Sequence, residues 1–262
     1  MAVGTTTKGR GERILQTLLR TGQVSVDDLA AQLEVSVATV RRDLTELERQ
    51  GLLRRTHGGA ISVEPLLYEP FRHQSSFQEQ EQQHVEEKRR IAIVAAELVN
   101  DGETIAMTAG TTTTQVARNI RHRKGITIVT NTVNVAMELS YRSDLTVFVT
   151  GGFLHGGWFS LVGSAGIHAV GEMFVDKVFI GVNGIHAERG LTAHHVDEAA
   201  MNRAMIRQAR KKIVVTDHTK LGYVATALIC GIDEIDMLIT DSAAADEAIE
   251  PFLARGIEVQ RV

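Results

Sequence analysis

Residues 25–60 have the sequence SVDDLAAQLEVSVATVRRDLTELERQGLLRRTHGGA, which predicts two short helices followed by a β-hairpin. Ser25 and Ser36 each precede an amphipathic pattern, where a serine hydroxyl can accept a hydrogen bond from the first free N–H groups of a helix. The second helix has an apolar face at helical spacing, formed by Val37, Val40, Leu44 and Leu47. We expect Gly51 to end this helix and residues 52–61 to form the hairpin.

One more helical pattern lies before this stretch. Its apolar residues are Ile14, Leu15, Leu18 and Leu19. The pattern stops at Gly22, since glycine readily adopts the positive φ that ends a helix. Three helices followed by a two-stranded hairpin predict a winged helix-turn-helix domain over residues 1–62.

The polar face of the last helix has small or cationic side chains, concentrated toward its N-terminal half. Short side chains let a helix approach base edges, arginine can donate two parallel hydrogen bonds to guanine, and hydroxyl groups can bind phosphates. The predicted DNA-binding residues are Ser25, Ser36, Ala38, Thr39, Arg41, Arg42, Thr45, Arg54, Arg55 and His57. The alternative interpretation is a solvated helix face on a protein-interaction module.

Residues 39–60, TVRRDLTELERQGLLRRTHGGA, resemble the winged helix-turn-helix signature of DeoR-type bacterial transcriptional regulators. The arginine pair before the aspartate and the terminal HGGA are part of this resemblance, which continues to about Asp241. It implies a repressor, or sometimes an activator, of sugar-catabolism genes. The implied partners are double-stranded operator DNA and a phosphorylated sugar, which the C-terminal domain senses.

Residues 63–87 have the composition of a linker. They contain Pro65 and Pro70, and the polar stretch HQSSFQEQEQQHVEEKRR occupies residues 73–90. The Gln- and Glu-rich part is either a disordered spacer or the start of a helix that continues through residues 91–98, and we favour the helix.

Residues 88–262 alternate short apolar runs with amphipathic stretches. Strands are predicted within residues 104–107, 126–131, 145–152, 177–184, 212–217 and 236–241, and helices within 113–120, 133–139, 198–210 and 244–253. This pattern predicts an open, mostly parallel, Rossmann-like α/β sheet that binds ligands at the carboxyl ends of its strands. The family resemblance further implies an effector domain similar to the sugar-phosphate isomerase fold of ribose-5-phosphate isomerase.

The stretch TAGTTTTQVARNI, residues 108–120, follows the first of these strands. Gly110 permits a tight turn, and the backbone amides of Thr111 to Thr113 at a helix N-terminus can bind an anion. An ordinary threonine-capped helix is the alternative, and it needs only one of the four threonines. Because no GxxxxGK[ST] motif follows a strand, we expect no nucleotide hydrolysis.

The stretch VVTDHTKLG, residues 214–222, places Asp217 and Lys220 after another strand. Carboxylates can accept hydrogen bonds from sugar hydroxyls and lysine can pair with phosphate, although a surface turn would need neither. The resemblance implies that both turns belong to an effector pocket. The predicted effector-binding residues are Gly110, Thr111, Thr112, Thr113, Asn131, Gly152, Asn183, Glu198, Asp217 and Lys220. Thr108 stands where the family usually has aspartate.

Other site classes are not expected. An isomerase would need a positioned base, for which Asp197 and Glu198 are candidates, but the KGGG-type stretch of ribose-5-phosphate isomerases is absent. We therefore expect no enzymatic activity, and keep an isomerase-like enzyme as the alternative.

No HExxH motif or Cys/His spacing indicates a metal site, and no cofactor is expected. We expect His194 to lie in a loop or line the pocket, and Trp158 either to pack or to contact the sugar.

Composition and charge limit the class of protein further. The 262 residues are 44% hydrophobic and 23% charged, which excludes wholesale disorder. Residues 1–60 have nine Lys and Arg against seven Asp and Glu, whereas the remainder has nineteen against twenty-five. A single cysteine excludes an internal disulfide, and no apolar run is long enough for a signal or a membrane span, so we expect a cytoplasmic protein without membrane contact.

Because one small helix makes few base contacts, we expect a homo-oligomer, dimer or tetramer, on half-sites ~34 Å or a multiple apart.

Overall fold

The structure is a computed structural model that describes residues 7–49, 52–62, 76–120 and 123–262. The chain divides into two compact units, Met1–His73 and Gln74–Val262. This division falls within the predicted linker, residues 63–87. Pro65 and Pro70 lie outside the described residues, as does Gly51 at the predicted end of the third helix.

The first unit is a winged helix-turn-helix, as predicted. Its elements are α1 (Thr7–Thr21), β1 (Gln23–Ser25), α2 (Val26–Leu33), α3 (Val37–Arg49), β2 (Leu53–Thr56) and β3 (Gly59–Ser62). The antiparallel hairpin of β2 and β3 forms the wing, and β1 pairs with β3 to complete a three-stranded sheet in the order β1-β3-β2.

Both predicted serine caps are present in this unit. The Oγ of Ser25 accepts a hydrogen bond of 3.0 Å from the N–H of Asp28, and the Oγ of Ser36 accepts one of 3.2 Å from the N–H of Thr39. The two caps fix where α2 and α3 begin. The helices then bury a shared core whose fully enclosed side chains include Ile14, Leu18, Leu29, Val40, Leu44 and Leu53.

One residue of the predicted apolar face of α3 is not buried. Val37 is 36% exposed, whereas Val40 and Leu44 are completely enclosed. Val37 is the first residue of the helix, and Val35 in the preceding turn packs against the core instead. The buried face of α3 therefore begins one turn later than predicted.

The second unit contains a seven-stranded, wholly parallel sheet in the order β15-β14-β12-β9-β4-β5-β6. Its strands are β4 (Thr104–Met107), β5 (Thr127–Thr130), β6 (Thr146–Val149), β9 (Val175–Ile180), β12 (Ala209–Val215), β14 (Met237–Thr240) and β15 (Glu258–Arg261). The six predicted strands are all in this sheet. The seventh, β15, has the sequence EVQR, which is too polar to predict a sheet strand.

Smaller strands and seven helices complete the described part of this unit. The strands are the hairpin β7 (Phe153–His155) and β8 (Ser160–Val162), and an antiparallel sheet of β10 (Gly184–His186), β11 (Gly190–Ala193) and β13 (Ala227–Cys230). The helices are α4 (Ser76–Glu81), α5 (Val85–Glu97), α6 (Thr111–Asn119), α7 (Val133–Leu139), α8 (Ser164–Gly171), α9 (Val196–Arg207) and α10 (Asp246–Leu253). The four helices predicted in this region correspond to α6, α7, α9 and α10, whereas α8 was not predicted.

The parallel sheet separates two hydrophobic cores. Alternate side chains of each strand point to opposite faces, so Ile105 and Met107 of β4 pack with α5, α6 and α7, while Ala106 packs on the face covered by α8, α9 and α10. Because both faces of its central strands are buried, the sheet has the near-continuous apolar strands that allowed it to be predicted.

The predicted linker helix is two helices, not one continuous helix. The chain turns at His84, whose φ of 50° is left-handed. The ammonium group of Lys88 donates to the carbonyl oxygens of Gln80 and Gln83 at the end of α4. These bonds tie α5 to the last turn of α4 and to the residues that follow it, and they stabilise the break. Among the described residues, no helix is both long enough and apolar enough to cross a bilayer.

Replacing Leu44 with alanine is expected to lower the free energy of unfolding of the first unit by about 2–5 kcal/mol, because the lost methyl groups leave a cavity. Val37→Ala, on the same helix but in an exposed position, is the control and is expected to cost less than ~1 kcal/mol. Hydrogen exchange of α1 and α3 amides in the full chain at increasing urea measures both changes. Equal effects of the two substitutions would contradict this packing.

Candidate functional site

The strand order places a crevice at one point of the parallel sheet. The chain builds β4, β5 and β6 outward in one direction, then returns to place β9 on the other side of β4 and continues outward the opposite way. Loops leaving β4 and β9 therefore diverge at their carboxyl ends, which is where open α/β sheets bind ligands. A pocket lies here, lined by Gln80, Lys88, Ala109, Gly110, Thr111, Thr112, Trp158, Gly181, Val182, Asn183, Ala193, His194, Glu198, Asn202, Val215, Thr216, Asp217 and Lys220.

The four threonines that begin α6 have two different roles. Thr113 donates to the carbonyl oxygens of Thr108 and Gly110, and Thr114 donates to Gly110, so both hydroxyls serve the turn. Thr111 and Thr112 line the pocket, and their hydroxyls have no hydrogen-bond partner among the described residues. The helix has no side-chain N-cap, because Gly110 occupies that position with a φ of 154°. The N-terminal amides of α6 thus border the pocket without a protein cap.

Thr108 connects the two diverging loops. It is completely buried, and its Oγ1 accepts a hydrogen bond of 2.9 Å from the N–H of Gly181, the residue that follows β9. The threonine thereby satisfies a buried amide at the floor of the crevice without placing a negative charge there.

Two lysines bring positive charge to the pocket. Lys88 is 3% exposed, and its ammonium group also holds the end of α4, with 2.7 Å between Nζ and the oxygen of Gln83. Burial lowers the pKa of Lys88, although the carboxylate of Asp217 opposes this shift. Lys220 lines the same pocket, and its ammonium group makes no hydrogen bond or ion pair within the described ranges. An anion in the pocket would stabilise both charged forms.

The turn that contains Asp217 and Lys220 is held by hydrogen bonds within and beneath it. The carboxylate of Asp217 accepts from the N–H and hydroxyl of Thr219 and caps a short 3-10 helix, His218–Lys220. Below it, Asp241 is completely buried, and burial alone would raise its pKa. Hydrogen bonds from the N–H groups of His218 and Ala243, together with the His218 side chain, outweigh burial and lower that pKa. The turn that presents Lys220 is therefore fixed by an ionised carboxylate.

Helix α9 supplies a carboxylate and an amide to the pocket. The Oε1 of Glu198 accepts from the hydroxyl of Ser160 at 2.9 Å and lies 3.2 Å from the Nδ1 of His155. Asn202 lies one turn further along the helix. Asn183 is used differently, since its Oδ1 accepts from the N–H of His194 and positions that loop.

Seven predicted effector residues line the pocket: Gly110, Thr111, Thr112, Asn183, Glu198, Asp217 and Lys220. Thr113, Asn131 and Gly152 do not. Asn131 is buried and exchanges hydrogen bonds with Leu161 of β8, in the hairpin. Gly152 has a φ of 113°, and a side-chain Cβ there would lie 2.4 Å from the carbonyl oxygen of Val162, so this position needs glycine for packing.

Sequence reasoning did not find Gln80, Lys88 or Asn202 in the pocket wall. Lys88 lies in a Glu- and Arg-rich stretch that is typical of a solvated helix face, and no local pattern separates it from its neighbours. Asn202 would have been detectable only as a polar residue on a largely apolar helix face. Trp158, for which packing and sugar contact were both open, lines the pocket.

The short helix α4 is part of the pocket wall through Gln80. Phe77 packs edge-on against Phe159, with 5.3 Å between ring centroids, and Glu81 forms an ion pair of 2.8 Å with Arg118 of α6. Arg118 also pairs with Glu138 of α7. These contacts attach α4, which lies inside the predicted linker, to α6, the helix that borders the pocket.

In the first unit, α3 presents a polar face to solvent. Of the ten predicted DNA-binding residues, all but Ser25 and Thr39 are exposed. The side chains of Arg41 and Arg42 form no ion pair or hydrogen bond with any residue that the structure describes. By contrast, Arg49 on the same helix pairs with Glu46 at 2.8 Å.

The wing is attached to this helix by two hydrogen bonds. The guanidinium of Arg55 donates to the hydroxyl of Thr45 at 2.8 Å, and the backbone N–H of Arg55 donates to Glu48 at the same distance. Arg54 and His57 are exposed on the hairpin. Helix and wing therefore present their basic residues in a fixed geometry.

Comparison with known protein families assigns both units. Residues 10–65 match the DeoR-like helix-turn-helix domain, and residues 83–242 match the DeoR C terminal sensor domain. The chain belongs to the DeoR family. It is therefore a DNA-binding transcriptional regulator, as the signature in residues 39–60 predicted.

Curated relatives of this DeoR-family chain are themselves regulators. It is 35% identical over 228 residues to the HTH-type transcriptional repressor GlcR of Bacillus subtilis, covering 87% of this chain and 86% of that protein. It is 31% identical over 233 residues to the glycerol-3-phosphate regulon repressor of Escherichia coli, covering 89% and 90%. Among solved structures, it is similar to ribose 5-phosphate isomerase from Plasmodium falciparum, with a TM-score of 0.37, 14% identity and 51% of each chain covered.

Thr108→Val is expected to lower the free energy of unfolding of the second unit by about 1–3 kcal/mol, because it leaves the N–H of Gly181 buried and unpaired while preserving side-chain shape. Thr108→Ser keeps the hydroxyl and serves as the control. Fluorescence of Trp158, the single tryptophan, followed during urea unfolding, measures both. Equal stability of the two variants would show that this hydrogen bond does not hold the loops.

Proposed function

We propose that this DeoR-family regulator represses sugar-catabolism genes and that a phosphorylated sugar in the pocket of its second unit controls its affinity for operator DNA. The observation that supports this most directly is one pocket bordered by two lysines and by the uncapped N-terminus of α6. A helix N-terminus and nearby ammonium groups together favour a phosphate group.

The pocket residues have complementary roles in this proposal. Lys88, Lys220 and the amides of Thr111 and Thr112 bind the phosphate, while the carboxylate of Glu198 accepts hydrogen bonds from sugar hydroxyls. Gly110 permits the close approach of backbone that the phosphate requires. Asp217 fixes the turn that presents Lys220.

DNA binding is proposed to use the exposed faces of α3 and the wing. Arg41 and Arg42 contact base edges in the major groove, Ser36 and Thr39 contact phosphates, and the basic wing residues lie along the backbone. Each chain has one such helix, so a homo-oligomer binds two half-sites, ~34 Å or a multiple apart. The protein acts in the cytoplasm, where the operator lies.

Control follows from linkage between the two ligands. If the sugar phosphate binds better to the protein in a form that cannot bind both half-sites, it lowers operator affinity by the ratio of its affinities for the two forms. The reverse preference would produce activation.

The decisive experiment measures binding of the full chain to the DNA upstream of its own gene, titrated with sugar phosphates and the corresponding unphosphorylated sugars. Release of DNA by one phosphorylated sugar, with no effect of the free sugar, is the expected result. Tighter DNA binding in the presence of that ligand would mean that the protein is an activator and not a repressor. DNA binding that responds to none of the compounds would overturn the proposed effector class. Assaying the same compounds for aldose–ketose conversion tests the enzyme alternative, and we expect no turnover.

Arg42→Ala is expected to weaken operator binding by about 1–3 kcal/mol, because it removes an exposed guanidinium from the recognition surface. Arg49→Ala, which removes a charge already paired with Glu46 on the same helix, is the control and should have a smaller effect. Fluorescence anisotropy with labelled operator at fixed salt measures both. Ligand affinity should be unchanged in either variant, and a parallel loss of both functions would indicate unfolding.

Lys220→Ala is expected to raise the ligand concentration needed for DNA release by roughly 10- to 100-fold, since a charge-assisted hydrogen bond to the phosphate is lost. DNA affinity without ligand should stay the same. Lys211→Ala, which removes a half-buried lysine that pairs with Glu258 outside the pocket, is the control. An unchanged response in Lys220→Ala would remove Lys220 from the phosphate site.

A further inference from the structure

Asn202 has an unusual environment for a buried amide. Its side chain is 5% exposed, lines the pocket, and makes no hydrogen bond with any described residue. Its Oδ1 is fully enclosed. A buried polar group without a partner destabilises a folded protein, and such groups are rare in native structures.

The other buried amides with an unpaired oxygen differ from Asn202. Asn131 and Asn134 each donate through Nδ2, to Leu161 and Thr114 respectively, and neither lines the pocket. Among these three, only Asn202 combines a wholly unpartnered amide with a place in the pocket wall. Its Nδ2, which is not enclosed, is therefore available to a ligand group in the pocket.

The neighbours of Asn202 define the chemistry of that group. Glu198 lies four residues earlier on α9, so the two side chains share one face of the helix. Glu198 is acceptor-only when ionised, and it is already held by Ser160 and His155. The lysines of the pocket come from other elements, Lys88 from α5 and Lys220 from the turn after β12. Helix α9 thus supplies hydrogen-bonding groups without positive charge.

We propose that Asn202 is a specificity-determining residue of the effector pocket, which binds hydroxyl groups of the sugar at a distance from the phosphate. This inference rests on the proposed function. A hydroxyl both donates and accepts, so a sugar hydroxyl can accept a hydrogen bond from the Nδ2 of Asn202, which unlike Oδ1 is not enclosed, and donate one to the carboxylate of Glu198. A ligand without these hydroxyls leaves Asn202 unpaired, which is the situation in which binding sites discriminate most strongly. A second phosphate at this position would meet the carboxylate of Glu198, so the pocket favours monophosphorylated sugars over bisphosphates.

The test compares ligands that share a phosphate but differ in hydroxyl groups. Calorimetry with the full chain gives dissociation constants for ethyl phosphate and for a panel of pentose and hexose monophosphates and bisphosphates. The informative quantity is the ratio between the constants of ethyl phosphate and of the tightest sugar phosphate. In Asn202→Leu, which has similar volume but no hydrogen-bonding groups, this ratio should fall at least about tenfold, with ethyl phosphate affected less than about twofold.

Two further variants make the result interpretable. Met205→Leu, a buried substitution on the same helix outside the pocket lining, should leave the ratio unchanged. Asn202→Leu should melt at the wild-type temperature or above it when no ligand is present, because an unpaired buried amide has been removed. If Asn202→Leu does not fold, Asn202→Ala is compared in the same way.

The outcomes separate this inference from the function on which it rests. If sugar phosphates bind the wild type and the ratio is unchanged in the variant, Asn202 does not determine specificity, although the sensor function stands. If the substitution weakens the binding of ethyl phosphate and of the sugar phosphate equally, Asn202 only maintains the shape of the pocket, which also overturns the inference. If no sugar phosphate binds the wild type, the proposed function fails and this inference fails with it.

Discussion

The hydrogen bond from the N–H of Gly181 to the hydroxyl of Thr108 joins the two halves of the parallel sheet where they diverge. Strands on either side of this point are built in opposite directions. The backbone bond from the N–H of Thr108 to Phe179 is the last between these strands, and the Thr108 hydroxyl extends the contact to the departing loops. Once these loops are joined, Gly110 can turn the chain into α6, and the amides of that helix border the pocket. The position of the N-terminal end of α6 therefore depends on a contact between residues 73 positions apart in the chain.

Much of this architecture could be predicted because it follows from local patterns. Ser25 and Ser36 mark helix starts, and the apolar runs of the parallel strands are long enough to be detected singly. The elements that escaped prediction are short or polar, such as β15, or bond to residues distant in the chain, such as β8, whose Leu161 bonds to Asn131. Val37 illustrates a subtler limit, since helical spacing alone does not reveal where a neighbouring element stops covering a helix.

The pocket shows the same division between local and distant information. Gly110, Asp217 and Lys220 lie in turns whose residue types suggest anion chemistry, and they line the pocket. Lys88 and Asn202 reach it only because α5 and α9 pack beside the strand ends, which no short stretch of sequence encodes. Conversely, Asn131 and Gly152 follow strands as binding residues often do, yet their backbone and side-chain contacts fasten the hairpin.

The place of α4 in the pocket wall has a practical consequence for building chimaeric regulators. A junction at residue 88, where the sequence alone would start the sensor, would discard Phe77, Gln80 and Glu81 together with their contacts to Phe159, Lys88 and Arg118. The ammonium group of Lys88 would then lose both carbonyl acceptors. A foreign DNA-binding unit should therefore be joined ahead of residue 76, so that the sensor domain keeps the helix that contributes Gln80 to its pocket wall.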